Sequence, residues 1–168
     1  MVLTEDLDSD LDIRIAHESD LSPLCRLWQE RQVILNQMDP RIPMPTPELR
    51  DQVERRFHDR ITQTGTLFVG GPGSEVSGYI TGLLHNAAAI VDDMALDAHR
   101  YLPGLGRALW IALRDHFLSS GATRFAIAVP RYDTVAQAFW RSLGAKNLLE
   151  TPEYAQWTIP TYCQWLTL

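Results

Sequence analysis

Only two cysteines, Cys25 and Cys163, occur in the 168 residues, and they lie far apart. That excludes a disulfide framework and a CxxC metal or redox pair, and it fits a reducing cytoplasm. No apolar run approaches the roughly 20 residues that span a bilayer, so no membrane association is expected. The opening Met1 to Asp12 is acidic and lacks the basic segment that starts a secretory signal, and residues 1–12 read as a flexible tail. Basic residues are the minority, Lys+Arg 15 against Asp+Glu 21, giving a formal net charge of −6 and a pI near 5.3. A general nucleic-acid binder needs a basic face to displace phosphate counterions, so that class is excluded. The same balance mildly favours cationic over anionic small substrates. The five histidines, His17, His58, His85, His99 and His116, show no metal-ligand spacing, so no metal is expected. No serine sits in G-x-S-x-G, which leaves a nucleophile-elbow hydrolase unsupported. Internal repeats and low-complexity tracts are absent as well.

What is present is enough for one core. Hydrophobic residues make up 45% of the chain, the size suits a single domain, and residues 13–168 are expected to form it. Ile13 to Ala16 alternates as a strand, and Asp20 offers an N-cap to a helix carrying Leu24, Leu27, Trp28, Leu35 and Met38, with Arg31 the one break in the stripe. Four prolines between Asp39 and Pro47 forbid helix interior and central strand and predict a stiff loop. Thr46-Pro47 then opens a second helix with Leu49, Val53, Phe57 and Ile61 on one face. Thr66 to Val69 and Val76 to Leu84 read as antiparallel strands about the Gly70 to Ser74 turn, and Ala87 to Leu96 as a central fourth strand. A helix with Leu105, Ala108, Leu109, Ala112, Leu113 and Phe117 on one stripe, a strand at Arg124 to Val129, a helix at Thr134 to Leu143, and late strands at Asn147 to Glu150 and Tyr154 to Ile159 complete the order.

The segment from Met94 to Leu109 carries the chemistry. A buried strand turns through Gly104 and Gly106 directly into a helix, whose first N–H groups lack internal partners and add positive potential. The two glycines would let a phosphate ester approach the backbone. Leu109 at the third glycine position weakens a dinucleotide fingerprint, and Arg107-Ala108 lacks the Lys-Ser/Thr pair of a P-loop. Without a ligand, the same glycines would make only a tight strand-to-helix turn.

Tyr101-Leu-Pro-Gly104-Leu-Gly106 resembles motif A of the GCN5-related N-acetyltransferase (GNAT) superfamily, Gln/Arg-x-x-Gly-x-Gly/Ala. Asp133-Thr-Val-Ala136-Gln-Ala-Phe139-Trp140-Arg-Ser-Leu-Gly144-Ala145 resembles that superfamily's last helix. The likeness covers about Ile13 to Ile159. It implies an α/β domain with a mixed, mostly antiparallel sheet, β-α-α-β-β-β-α-β-α-β-β, with splayed central strands. It also implies acetyl-CoA as co-substrate: Met94, Ala95 and Leu96 against the pantetheine arm, Leu102, Pro103, Gly104, Leu105, Gly106, Arg107 and Ala108 around the pyrophosphate, and Asp133, Ala136, Phe139 and Trp140 near the thiol. Transfer to a primary amine of a small molecule or peptide, directly within a ternary complex, follows from the resemblance. The alternatives are another acyl group or acceptor on the same fold, or a non-catalytic acyl-CoA-binding sensor.

Departures from the pattern bear on catalysis. Tyr101 stands where Arg or Gln is usual, Asp133 where Asn is, and Trp140 where a tyrosine protonates the thiolate in many relatives; an indole N–H cannot serve as that acid. Tyr132 is the leading replacement, with Tyr154 or water as alternatives. Asp92 and Asp93 would point to opposite faces of an apolar strand, so that at least one meets the cleft or a buried partner. In polyamine acetyltransferases of the superfamily an acidic pair stands at the matching distance before the turn. Here one aspartate would orient an ammonium group and take its proton, or the pair would be structural, tied to helix arginines. Phe139 and Trp140 could equally be core aromatics. The apolar end Tyr162 to Leu168 and the outer strand would allow a homodimer.

Overall fold

The computed structural model describes residues 10–150 and 154–159. β1 (Leu11–Ile15) takes two residues from the acidic opening, because Leu11 and Asp12 find ladder partners in Pro72 and Gly71. Residues 1–9, Cys163 and the apolar end 162–168 lie outside the described residues. α1 (Leu21–Met38) buries Leu24, Leu27, Trp28 and Leu35 along one stripe. Asp20 occupies the N-cap position without capping the helix. Its carboxylate instead accepts Arg14 Nη1 and Nη2 at 2.7 and 3.0 Å and the His17 N–H at 2.8 Å. A guanidinium reaching from β1 offers two charge-assisted bonds, which outweigh one neutral helix donor.

The proline-rich stretch is the expected loop. Thr46 Oγ1 then accepts the Leu49 N–H at 3.2 Å and Pro47 opens α2 (Pro47–Asp59), which widens into a π-helical turn over Arg60–Thr64. β2 (Leu67–Pro72) runs longer than its sequence suggests. Gly70 and Gly71 are strand residues paired with Ile13 and Asp12, not turn residues. A Cβ on Gly70 would collide with the side chains of Ile13 and Leu105, so the glycine lets β1 and the third helix close over β2. The chain reverses after Pro72, and β3 (Gly78–His85) starts two residues later than Val76.

β4 (Ala88–Leu96), α3 (Leu105–Ser119), β5 (Arg124–Pro130), α4 (Thr134–Ser142), β6 (Lys146–Glu150) and β7 (Tyr154–Ile159) follow in the expected order. The seven strands lie β1-β2-β3-β4-β5-β7-β6, so β4 is central. Every pairing is antiparallel except β4 with β5, which the α3 crossover makes parallel.

Each face of the sheet has its own core. On one, α1 and α2 bring Leu24, Leu27, Trp28 and Phe57 onto Leu67, Val69, Tyr79 and Ala95. On the other, α3 and α4 bring Leu109, Leu113, Phe117 and Trp140 onto Ile80, Val91, Phe125 and Ile127. Trp110 lies outside the apolar stripe expected for α3 but is fully buried, with ring centroids 5.2 Å from Phe125 and 5.5 Å from Trp140. α4 covers that flank of α3, so the buried arc of the helix is wider than the sheet alone requires. Among the described residues no helix is long and apolar enough to cross a membrane.

Candidate active site

Two strands part at the centre of the sheet. Ala88–Val91 pairs with Arg124–Ile127, but the pairing stops there while β4 continues to Leu96 and β5 to Pro130. β5 keeps its other partner, β7, through Pro130. The facing edges of 92–96 and 128–130 therefore carry main-chain donors and acceptors with no strand between them.

The turn into α3 lies at the same end. Gly104 is its N-cap in a left-handed conformation (φ +82°), no side chain caps the helix, and the first helical bond is Ala108 N–H to Gly104 O at 2.9 Å. Nothing lies within 4 Å of where a Gly104 Cβ would stand. Gly106 differs. Its Cβ would stand 3.2 Å from Phe139 Cε2 and 3.3 Å from Met94 Cε, so this glycine makes room for protein side chains rather than for a ligand. Met94, Gly106 and Phe139 thus meet at the root of the gap. Pro103, Gly104 and Arg107 are exposed, Leu102 and Ala108 half-buried, and Leu105 buried. A cavity of about 170 Å³ alongside the turn is lined by Leu96, Asp97, Ala98, Arg100, Tyr101, Leu102 and Leu105. Tyr101 is 90% exposed, and Arg100 is tied to Glu75.

Asp92 and Asp93 do not point to opposite faces. The register shifts between Thr81 and Gly82, Thr81 opposing Asp93 and Gly82 opposing Val91, so Asp92 is the extra residue of a β-bulge. The bulge turns both carboxylates toward α2 and the turn after it. Arg56 Nη2 donates to Asp93 Oδ2 at 2.6 Å, and Arg60 donates to Asp92 Oδ2 through Nη2 at 2.8 Å and to Gly82 O through Nη1 at 2.6 Å. Asp92 is exposed as a residue although only 20% of its side chain is accessible, so the accessible part is its main chain. Burial pushes the Asp93 carboxyl above its ordinary value, and the Arg56 charge opposes that rise. Tyr79 is fully buried beside Asp93, and burial drives its acidity well below that of a free phenol.

Asp133, at the N-cap of α4, is buried and doubly used. Its Oδ1 accepts the Ala136 N–H at 3.0 Å and its Oδ2 accepts Arg31 Nη2 at 3.0 Å. Arg31 comes from α1 on the opposite face, which explains the break in that helix's apolar stripe. Tyr132 is 54% exposed, and the Arg41 guanidinium of the proline-rich loop lies 5.7 Å from its ring centroid. Buried Asp39 holds Arg41 through Nε and Nη2, both at 2.9 Å. The loop therefore walls the mouth of the gap. Trp140 is 2% exposed, stacked edge-to-face on Trp110 and Phe139, while Phe139 is half-buried. Trp140 is a core residue, and Phe139 is the aromatic that reaches the gap.

Arg31, Arg56, Arg60 and Tyr79 were not among the candidate residues read from sequence. The i, i+4 spacing of Arg56, near the end of α2, and Arg60, in the π-helical turn after it, and the lone arginine in the α1 stripe are the available signals.

No protein-family profile matches the sequence, and no curated protein matches it. Solved structures do match. The PaiA N-acetyltransferase of Thermoplasma acidophilum, in complex with coenzyme A, superposes with a TM-score of 0.72 at 14% identity, covering 89% of this chain and 98% of that one. The ribosomal-protein-S18-alanine N-acetyltransferase of Escherichia coli gives 0.67 at 17%, covering 90% and 94%. A protein assigned to the GNAT acetyltransferase family, from Desulfovibrio desulfuricans, gives 0.67 at 13%, covering 90% and 98%. Likeness at such low identity reports architecture. The chain has the GNAT acetyltransferase fold.

Proposed function

We propose that the chain from Leu11 onward forms one N-acetyltransferase domain that moves the acetyl group of acetyl-CoA to a primary amine within a ternary complex. The observation that carries this is the parting of β4 from β5 beside an uncapped helix N-terminus. The residues fit the co-substrate on structural grounds. The open edge at Met94, Ala95 and Leu96 suits an extended, amide-bearing arm, and the open space at left-handed Gly104 suits a pyrophosphate on the α3 N-terminus. When bound, acetyl-CoA supplies an activated thioester.

The chain's own groups do the rest. Main-chain N–H groups of the bulged β4 edge polarise a carbonyl brought against them. Only a free amine attacks a thioester, so an ammonium acceptor must first lose a proton. Asp93 is the better base of the pair, because burial raises its proton affinity while Arg56 keeps it ionisable. Asp92, tied to Arg60 and to the bulge, orients the main chain. Tyr132 Oη, at the mouth, returns a proton to the departing thiolate.

One observation favours a second reading, a non-catalytic acyl-CoA sensor: both aspartates are already ion-paired. Two measurements separate the readings. Acetyl-CoA at 100 times its Kd is expected to stabilise the protein by ~2.7 kcal/mol and to raise Tm by about 5–10 °C. Free coenzyme A release with a panel of amines then separates enzyme from sensor. Stabilisation without release supports the sensor, and no stabilisation sinks both.

A further inference from the structure

Resting on the acyl-transfer reading, we propose that the acceptor is an amino carboxylate, its carboxylate held by arginines on the α1–α2 side of the gap. In three ion pairs of this region the carboxylate is the buried member and the arginine the one that solvent reaches; in the fourth, Arg60–Asp92, the arginine is the less accessible, at 14% against 20%. Side-chain exposure is 29% for Arg31 against 5% for Asp133, 35% for Arg56 against 14% for Asp93, and 44% for Arg41 against 5% for Asp39. A substrate arriving at the mouth therefore meets guanidinium edges, in a chain whose net charge is −6.

The three arginines converge although they are distant in sequence. Arg31 reaches Asp133, Arg41 lies over the neighbouring Tyr132, and Arg31 also lowers the proton affinity of Asp93, the partner of Arg56. Arg56 Nε is buried and has no hydrogen-bond partner, a donor held back from both water and protein. This group is separate from the glycine turn, which leads into α3 on the opposite face of the sheet. The guanidinium's planar fork suits a carboxylate better than an ammonium does. A diamine or polyamine gains little from Asp92 and Asp93 here, because both carboxylates are already paired with Arg60 and Arg56. The acceptor's amine, next to its carboxylate, would lie toward Asp93, and Arg41 over Tyr132 would keep the mouth narrow enough to favour a small molecule.

Matched acceptors provide the test. Coenzyme A release is measured with the standard L-amino acids, their carboxamides and their decarboxylated amines, including L-lysine against cadaverine. At least one amino acid is expected to exceed its carboxamide and its amine about tenfold or more in kcat/KM, the scale of one charge-assisted hydrogen bond. Arg31→Gln should raise KM for the amino acid and erase that preference while leaving acetyl-CoA affinity unchanged. Because this change strands the buried Asp133, Arg31→Gln/Asp133→Asn is the companion, since asparagine still caps α4. Carboxamides or diamines turning over equally well or better would overturn the proposal, as would a preference that survives in both variants. If acetyl-CoA binds but no acceptor turns over, the catalytic reading fails separately. Calorimetry on the coenzyme A complex then decides: binding of an amino acid but not its carboxamide supports the arginine site, and equal or absent binding overturns it.

Discussion

Gly104 and Gly106 are two residues apart and serve different ends. Gly104 has a left-handed backbone with open space where a Cβ would go, whereas Gly106 lets Phe139 and Met94 close on the start of α3. Gly104→Ala should therefore cost about 1–2 kcal/mol, from backbone strain alone. Gly106→Val should cost more and also wedge the root of the gap, weakening acetyl-CoA binding further than Gly104→Ala does. Urea midpoints and a coenzyme A titration of both variants check this. Asp133 supports a second residue-level expectation. Asp133→Asn keeps the cap and loses part of the Arg31 pair, while Asp133→Ala loses both and leaves a guanidinium without its buried partner, about 2–3 kcal/mol less stable. Both glycines and Asp133 stand out in the sequence, but what each one touches does not. The neighbours come from segments up to 102 positions away, as Arg31 does for Asp133.

At the scale of elements, β4 shows where one bulge changes the chemistry of a strand. Strict alternation would send Asp92 and Asp93 to opposite faces, but the extra residue turns both toward Arg56 and Arg60. Taking away the Arg56 charge with Arg56→Met should raise the Asp93 pKa further, since that charge lowers it. If Asp93 is the base, the acid limb of the rate profile should move to higher pH; an unmoved limb would remove Asp93 from that role. Asp20 gives the opposite sign. Arg14 holds its carboxyl below the unfolded value of 3.8, so the stability it contributes is present above that value and is lost as pH falls through the lower folded pKa. Asp20→Asn should flatten the acid-side loss of stability that links β1 to α1, measured as Tm against pH. The order of elements was readable because apolar periodicity and capping residues are local signals. The bulge, the extension of β2 through Gly70 and Gly71, and the burial of Trp110 were not, because each depends on a partner strand or helix.

For the whole molecule, the central parallel pair decides where function can sit. Among the described residues six strand pairings hold the sheet, and the one parallel pairing, β4 with β5, ends early enough to leave an open seam between two separate cores. The acidic net charge points toward cationic substrates, yet in the pairs of Arg31, Arg41 and Arg56 the arginine is the accessible member and the carboxylate the buried one. A global charge balance says nothing about which member of an ion pair faces solvent. Amide hydrogen exchange with and without acetyl-CoA tests the central claim most directly. Slowed exchange is expected to concentrate in residues 92–96 and 102–108, the open β4 edge and the start of α3. Protection elsewhere, or none at saturating acetyl-CoA, would contradict it.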